Sequence, residues 1–231
     1  MSGAWEVSNP LLMIATPNTD IVTVNWSMAY AAMWKPQNVL LQGWSGMPID
    51  VARNVFVKNA REKKVKYLLY LDSDVLPVNQ NWIKMLLDVQ QPIISGLYYS
   101  KKGHPGMWVK TPGDPPERQT YTAITEYPTN SMVTVDAIGA GALLVDMRVF
   151  DVIDKVIGRQ NDPAHPDLGQ YFKWDWPDPE NVLPGEKSED FYFCHLAQRA
   201  GFSILVHTGV ELTHEQTVSW SPKGAITRFH S

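Results

Sequence analysis

Apolar residues along this chain fall into short unbroken runs and into stretches of helical period, and over the first hundred residues the two kinds alternate. Leu11 to Ala15 reads as a first strand. Thr16-Pro17-Asn18-Thr19-Asp20 reads as a turn that caps a helix, on which Ile21, Val24, Met28 and Ala31 recur at helical spacing. Asn38 to Leu41 is a second strand. Val51 to about Lys63 carries Ala52, Val55, Phe56 and Ala60 on one face and predicts another helix. Leu68 to Val75 is an apolar run closed by Asp72-Ser73-Asp74, a buried strand feeding a loop with Pro77 just beyond. Trp82, Ile83, Leu86 and Leu87 mark a third helix, and Pro92 precedes a strand from Ile93 to Tyr98. Alternation of this kind predicts an α/β fold, a Rossmann-like and mostly parallel sheet with helices on both faces.

The second half is less regular. Lys101 to Pro128 is rich in Gly, Pro and polar residues and reads as one long connection. Val133 to Asp146 reads as two extended pieces around Gly139-Ala140-Gly141. Phe150, Ile153 and Ile157 give a helix over Met147 to Ile157. Gly158 to Glu186, dense in Pro, Asp and Trp, reads as a surface excursion. Glu189 to Ala200 is the last clear helix, stopped by Gly201, and Phe202 to His207 is a closing strand. Internal repeats and low-complexity tracts are absent.

The aspartate pair carries the chemistry. On an extended chain, side chains two apart point the same way, so Asp72 and Asp74 converge at a strand's mouth. Open α/β sheets bind ligands there. Hard carboxylate oxygens suit Mg2+ or Mn2+ shared with a substrate's phosphates, which predicts an enzyme acting on a nucleotide diphosphate. A chain of 231 residues, 44% hydrophobic, is long enough for one well-cored domain. A net charge of −4 gives no support to a nucleic-acid binder driven by a basic surface. Lys101, Lys102, His104 and Lys110 still form a mildly basic loop, able to face a phosphorylated or nucleic-acid acceptor or simply to be solvated. The single cysteine, Cys194, rules out an internal disulfide and reads as a small buried residue on a helix. With no signal-peptide pattern at the start and no apolar stretch near the ~20 residues of a membrane span, a cytoplasmic location is expected.

Four segments in order resemble the family-2-like glycosyltransferases of GT-A fold. They are Ala52-Arg53-Asn54 on a helix, Asp72-Ser73-Asp74 at a strand end, Gly139-Ala140-Gly141-Ala142-Leu143-Leu144-Val145, and Ser188-Glu189-Asp190 opening a helix, with His214 following. They span nearly the whole chain. The resemblance implies a single domain over 1–231, its first 100 residues or so binding the nucleotide-sugar and the remainder the acceptor. It implies that Asp74 binds the metal directly, that Asp72 holds the ribose or a metal-bound water, and that His214 is a further ligand. Asp190 would be the general base for the acceptor hydroxyl in an inverting transfer, and Glu189 would orient the acceptor or brace the loop. Arg53 would approach the diphosphate charge or pair with a core carboxylate. Gly139 and Gly141 would let backbone approach the donor sugar or the acceptor closely. Thr16 and Pro17 stand where the family holds the base.

The chain departs from that family in two places. The acid that many members carry after the second strand is missing from Leu41-Gln42-Gly43-Trp44-Ser45-Gly46, where Gln42 could bond a base edge and Trp44 could stack. A UDP-sugar is the default donor and a GDP-sugar its competitor. The Gln-x-x-Arg-Trp segment of processive synthases is also absent, which favours single transfers to a hydroxyl acceptor that the sequence does not name. Among the aromatics, Trp82 fits a core stripe, while Trp108, Trp174, Trp176 and Trp220 lie in polar stretches where a sugar could stack. His207 is the alternative to His214, and His230 could reach in from the tail. His104, His165 and His195 read as ordinary surface or helix positions. Two rival readings use the same residues. One is a haloacid-dehalogenase-like phosphatase with Asp72 and Asp74 as its acidic pair; the other is an inactive GT-A module that binds sugar nucleotide or glycan.

Overall fold

The computed structural model of the chain describes residues 11–18, 21–100, 103–114, 120–174 and 188–215, and the backbone of 217–221 and 224–228. An eight-stranded sheet forms its centre, in the order β2-β1-β3-β10-β5-β11-β4, with β8 also paired to β11. Its strands are β1 (Leu12–Asn18), β2 (Val39–Ser45), β3 (Tyr67–Leu71), β4 (Val75–Pro77), β5 (Ile93–Leu97), β8 (Met132–Val135), β10 (Ala142–Asp146) and β11 (Ile204–His214). β2, β1, β3, β5 and β11 all run the same way, and β10 lies antiparallel between β3 and β5. A small sheet of β6 (Met107–Lys110), β7 (Tyr121–Ala123) and β9 (Ala137–Ile138) stands beside it, and β12 (Thr217–Ser221) and β13 (Gly224–Arg228) form a hairpin.

Successive residues of the central strands enter opposite cores, which is why these strands read as continuous apolar runs. Met13, Ala15, Leu68 and Tyr70 face one side, under α2 (Ile49–Glu62), α4 (Arg148–Ile153) and α5 (Glu189–Arg199). Leu12, Ile14, Leu69 and Leu71 face the other, with Trp26 of α1 (Val24–Ala32) and Trp82, Ile83 and Leu86 of α3 (Trp82–Val89). Trp82 is a core residue, as its spacing predicts, and Cys194 is buried with its thiol against the Ile138 carbonyl at 3.8 Å.

Several boundaries differ from the sequence reading. Thr16-Pro17-Asn18 is not a turn but the end of β1, held in parallel register by Gly43, Trp44 and Ser45 of β2. The helix cap is Thr23, whose hydroxyl accepts from the Trp26 N–H at 3.0 Å. α1 therefore buries Trp26, while Val24, part of the predicted apolar stripe, is 73% exposed together with Ile21 and Met28. The long connection after Lys101 contains β6 and β7. The predicted surface excursion buries Leu168, Tyr171 and Phe172. Asn54 is the reason: its Oδ1 accepts from the Tyr171 and Phe172 N–H groups at 2.9 and 3.0 Å, and its Nδ2 donates to the Phe172 carbonyl at 2.8 Å. With that backbone satisfied, Phe172 can stack on Phe193, ring centroids 4.9 Å apart. The Met147 helix is α4 followed by one π-helical turn, Asp154–Gly158. The closing strand runs on to His214, so that residue ends β11 rather than following a turn.

Candidate active site

Because the five parallel strands share a direction, their C-terminal ends lie at one edge of the sheet. That edge receives Asn18, Ser45, Asp72, Tyr98 and His214, together with Gly139-Ala140-Gly141, which leads into the antiparallel β10. Helix α5 brings Glu189 and Asp190 to the same place at its first turn, where acidic side chains are favoured by the helix dipole.

Asp72 and Asp74 do not share a direction. The chain leaves β3 at Leu71 and turns, with the Val75 N–H donating to the Asp72 carbonyl at 3.1 Å, so the alternation of an extended strand no longer applies. Asp72 points inward and Asp74 outward. The turn is held from both sides: the Asp72 N–H donates to the Gly141 carbonyl at 3.0 Å, and Trp26 Nε1–H donates to the Asp72 carbonyl at 3.0 Å. Ser73 is its partly exposed middle residue.

Inward lies Arg53, only 2% exposed. Its guanidinium meets three carboxylates: Asp72 Oδ1 from Nη1 at 3.3 Å, and Glu189 Oε1 and Asp190 Oδ1 from Nε at 3.4 and 3.3 Å. It also donates to the Ala140 carbonyl at 3.5 Å and lies over the rings of Tyr70 and Phe172. Burial opposes the charge on Arg53, and Asp72, Asp190 and Glu189 more than offset it, so its pKa rises. Burial raises the Asp72 pKa, and Arg53 offsets only part of that while Asp190 and Asp74 add repulsion. Glu189 is pushed up to about 8, by burial first and then by its neighbour Asp190. One cation thus faces three acidic groups, of which Glu189 holds its proton up to about pH 8. Arg53 is a buried clamp between the strand turn and α5, ion-paired to the acidic groups of both. Glu189, 4% exposed, is enclosed with it, whereas Asp190 keeps 14% of its surface open.

Outward, Asp74 Oδ2 and His214 Nε2 lie 3.1 Å apart. His214 Nδ1 is 2.9 Å from the Tyr99 carbonyl, which accepts from it, so Nε2 is the nitrogen that faces Asp74. The Glu215 N–H donates to the Asp74 carbonyl at 2.7 Å, and the Glu215 carboxylate accepts from the Thr23 hydroxyl at 2.5 Å, tying β11, the Asp72 turn and the start of α1 together. A carboxylate and an imidazole with its outer nitrogen bonded suit a divalent cation that draws its remaining ligands from phosphate and water. Among the described residues no three His, Cys, Asp or Glu side chains form a closed ligand set. Asp74 and His214 face each other, while the carboxylate of Asp72 is turned to Arg53.

Tyr98, which carries no polar motif signal, also reaches this edge. Its hydroxyl accepts from the Gly141 N–H at 3.2 Å, and its ring meets that of His214 edge-on. A methyl on Gly139 would collide with that hydroxyl, so glycine there serves close approach. Thr16 and Pro17 are buried at the end of β1, and the Thr16 hydroxyl has no hydrogen-bond partner among the described residues. Gln42 is half-buried on the edge strand beside the exposed Trp44. His207 lies within β11, its Nδ1 accepting from the Gly209 N–H at 3.1 Å. Trp108 packs against Phe191, and Trp174 is exposed. Lys101, Lys102, Trp176, His230 and the side chain of Trp220 lie outside the described residues. Cavity volume alone misdirects: clefts of about 450 and 260 Å3 are lined by Arg61 with residues such as Lys64 and Arg148, or Lys58 and Asp167, none of them from this edge.

No helix among the described residues is long and apolar enough to cross a membrane. No family model matches the chain, and none of the curated proteins does. Solved structures do. A197 from STIV superposes with a TM-score of 0.56 at 13% identity, over 95% of each chain. GalNAc-T7, crystallised with UDP, GalNAc and Mn2+, superposes with a TM-score of 0.53 at 10% identity over 90% of this chain, which spans 44% of that protein. At such identities the likeness is one of fold, and the fold of this protein is GT-A-like, a mostly parallel sheet flanked by helices.

Proposed function

We propose that this protein is a metal-dependent glycosyltransferase, moving a sugar from a nucleotide diphosphate to an acceptor hydroxyl. The observation that carries the reading is the meeting of Asp72 and Asp190 on buried Arg53, with the Asp74–His214 pair on the outer side of the same strand turn, at the ligand-binding edge of a GT-A-like sheet. Asp74 and His214 would hold Mn2+ or Mg2+ with the donor's diphosphate completing the shell, the cation offsetting the charge that develops on the leaving diphosphate. Asp72, turned from the pair, would receive the ribose or a water. Asp190, the open carboxylate of the α5 turn, would accept the proton of the attacking hydroxyl, and one base with in-line attack inverts the anomeric centre. Glu189 and Arg53 would brace that base from behind. Gly139 and Gly141 would offer backbone to donor sugar or acceptor.

Residues 1–100 would thus supply the donor half and 101–231 the acceptor half. The buried Thr16 hydroxyl and Pro17, with Gln42 beside them, would line the base. UDP is favoured because GalNAc-T7, a fold neighbour, was solved with UDP and Mn2+; a GDP-sugar is the competitor. The haloacid-dehalogenase alternative would use the Asp72 carboxylate as nucleophile, and neither fold neighbour supports it. Calorimetric titration of UDP, GDP and their sugar conjugates, with Mn2+ and then with EDTA, tests the proposal. Metal-dependent binding that is lost in Asp74→Asn, and transfer that is lost in Asp190→Asn with donor binding kept, are the expected results. Absence of nucleotide binding with metal present would overturn it and send the protein to phosphomonoester hydrolysis assays. Near wild-type transfer by Asp190→Asn would overturn the base assignment alone.

A further inference from the structure

Tyr98 follows β5 at the edge that also carries Asp190 and His214, and none of the roles above uses it. It is 8% exposed, and each part of the side chain has a different neighbour. The hydroxyl accepts from the Gly141 N–H at 3.2 Å. The ring meets the His214 imidazole with centroids 5.9 Å apart and planes at 75°. A methyl on Gly139 would collide with the hydroxyl while lying 3.6 Å from Asp190 Oδ2, and a methyl on Gly141 would lie 3.2 Å from the hydroxyl. The phenol therefore fills the space vacated by two absent side chains, between the glycine turn and the base. Its backbone is anchored as well, the Tyr98 carbonyl accepting from the Gly106 N–H at 2.7 Å.

A residue needed only to fill this space would be served by leucine or phenylalanine, neither of which satisfies the Gly141 amide. We infer that Tyr98 is a positioning residue of the transfer site: its hydroxyl sets the Gly139-Ala140-Gly141 turn against Asp190, and its ring sets His214 against Asp74. The inference rests on the glycosyltransferase reading for what is transferred, while its geometry can be tested without any donor.

The two halves of the side chain separate by substitution. Tyr98→Phe keeps the ring and removes the hydroxyl, so Mn2+ affinity should stay within about twofold. Its kcat for transfer should fall about 10- to 100-fold with KM for the donor little changed, the mark of a misplaced catalytic group. Tyr98→Leu also removes the ring, and Mn2+ affinity, read by the electron paramagnetic resonance of the free ion, should fall about tenfold. Wild-type kcat in Tyr98→Phe overturns the role of the hydroxyl, and wild-type Mn2+ affinity in Tyr98→Leu overturns that of the ring.

A rescue test reads the geometry by melting temperature alone. Gly139→Ala should lower it, and adding Tyr98→Phe should restore part of the loss, because the new methyl then sits 3.2 Å from ring carbon Cζ with no hydroxyl in its way. Additive losses would overturn the wedge. A wild-type protein that binds no nucleotide with Mn2+ would overturn the glycosyltransferase reading instead, and the melting comparison would still decide the wedge.

Discussion

Replacing Arg53 by methionine should be among the most damaging single changes in the molecule. The side chain is 2% exposed, and Asp72, Glu189 and Asp190 lie 3.3 to 3.4 Å from its nitrogens. Methionine fills most of the volume but leaves buried carboxylates without a counter-charge. Breaking a buried ion pair in this way costs about 3–5 kcal/mol. Urea denaturation at about pH 7.5 should show a loss of roughly 3–5 kcal/mol. Arg53→Lys should recover only part, since one ammonium cannot bridge three carboxylates as a planar fork does. A loss under about 1 kcal/mol at pH 7.5 would refute the clamp, since only a surface pair is worth so little.

Glu189 gives a prediction of opposite sign. Its folded pKa is raised from 4.5 to about 8, so its contribution to stability is fully present below about pH 4.5 and is lost as the pH climbs through 8. Glu189→Gln cannot ionise, so at about pH 9 it should be more stable than wild type by about 1–4 kcal/mol and at about pH 4 nearly equal; parallel stability curves would count against the assignment. Trp26→Phe removes the Nε1–H donor to the Asp72 carbonyl and should cost about 1–3 kcal/mol in urea denaturation. It should also weaken Mn2+ binding by loosening the Asp72 turn, and unchanged stability would mean that the turn holds without the indole.

The sequence by itself determined the alternation of strands and helices, because strands buried on both faces must be apolar at every position and helices at every third or fourth. It also determined that Asp72, Asp74, Glu189 and Asp190 stand at element ends, where polar chemistry survives next to a core. Only tertiary structure decided what those residues face. Asp72 and Asp74 part company because the chain turns at Asp72, and the turn is held by Gly141 and Trp26, residues 69 and 46 positions away. Arg53 reads as a helix residue until α2 packs beneath α5, whereupon it becomes the shared counter-ion of two distant motifs. The stripe of Ile21, Val24 and Met28 misled for a related reason: periodicity shows that a face exists, but the partner that buries it is chosen by topology, and here the Asp72 carbonyl drew Trp26 inward. Tyr98 left no local signal at all and Asn54 only its place in Ala52-Arg53-Asn54, since each acts on backbone groups that are remote in sequence. Local pattern fixes which residues can be buried and which can react; long-range hydrogen bonds and the crossing of β10 between β3 and β5 fix which of them meet.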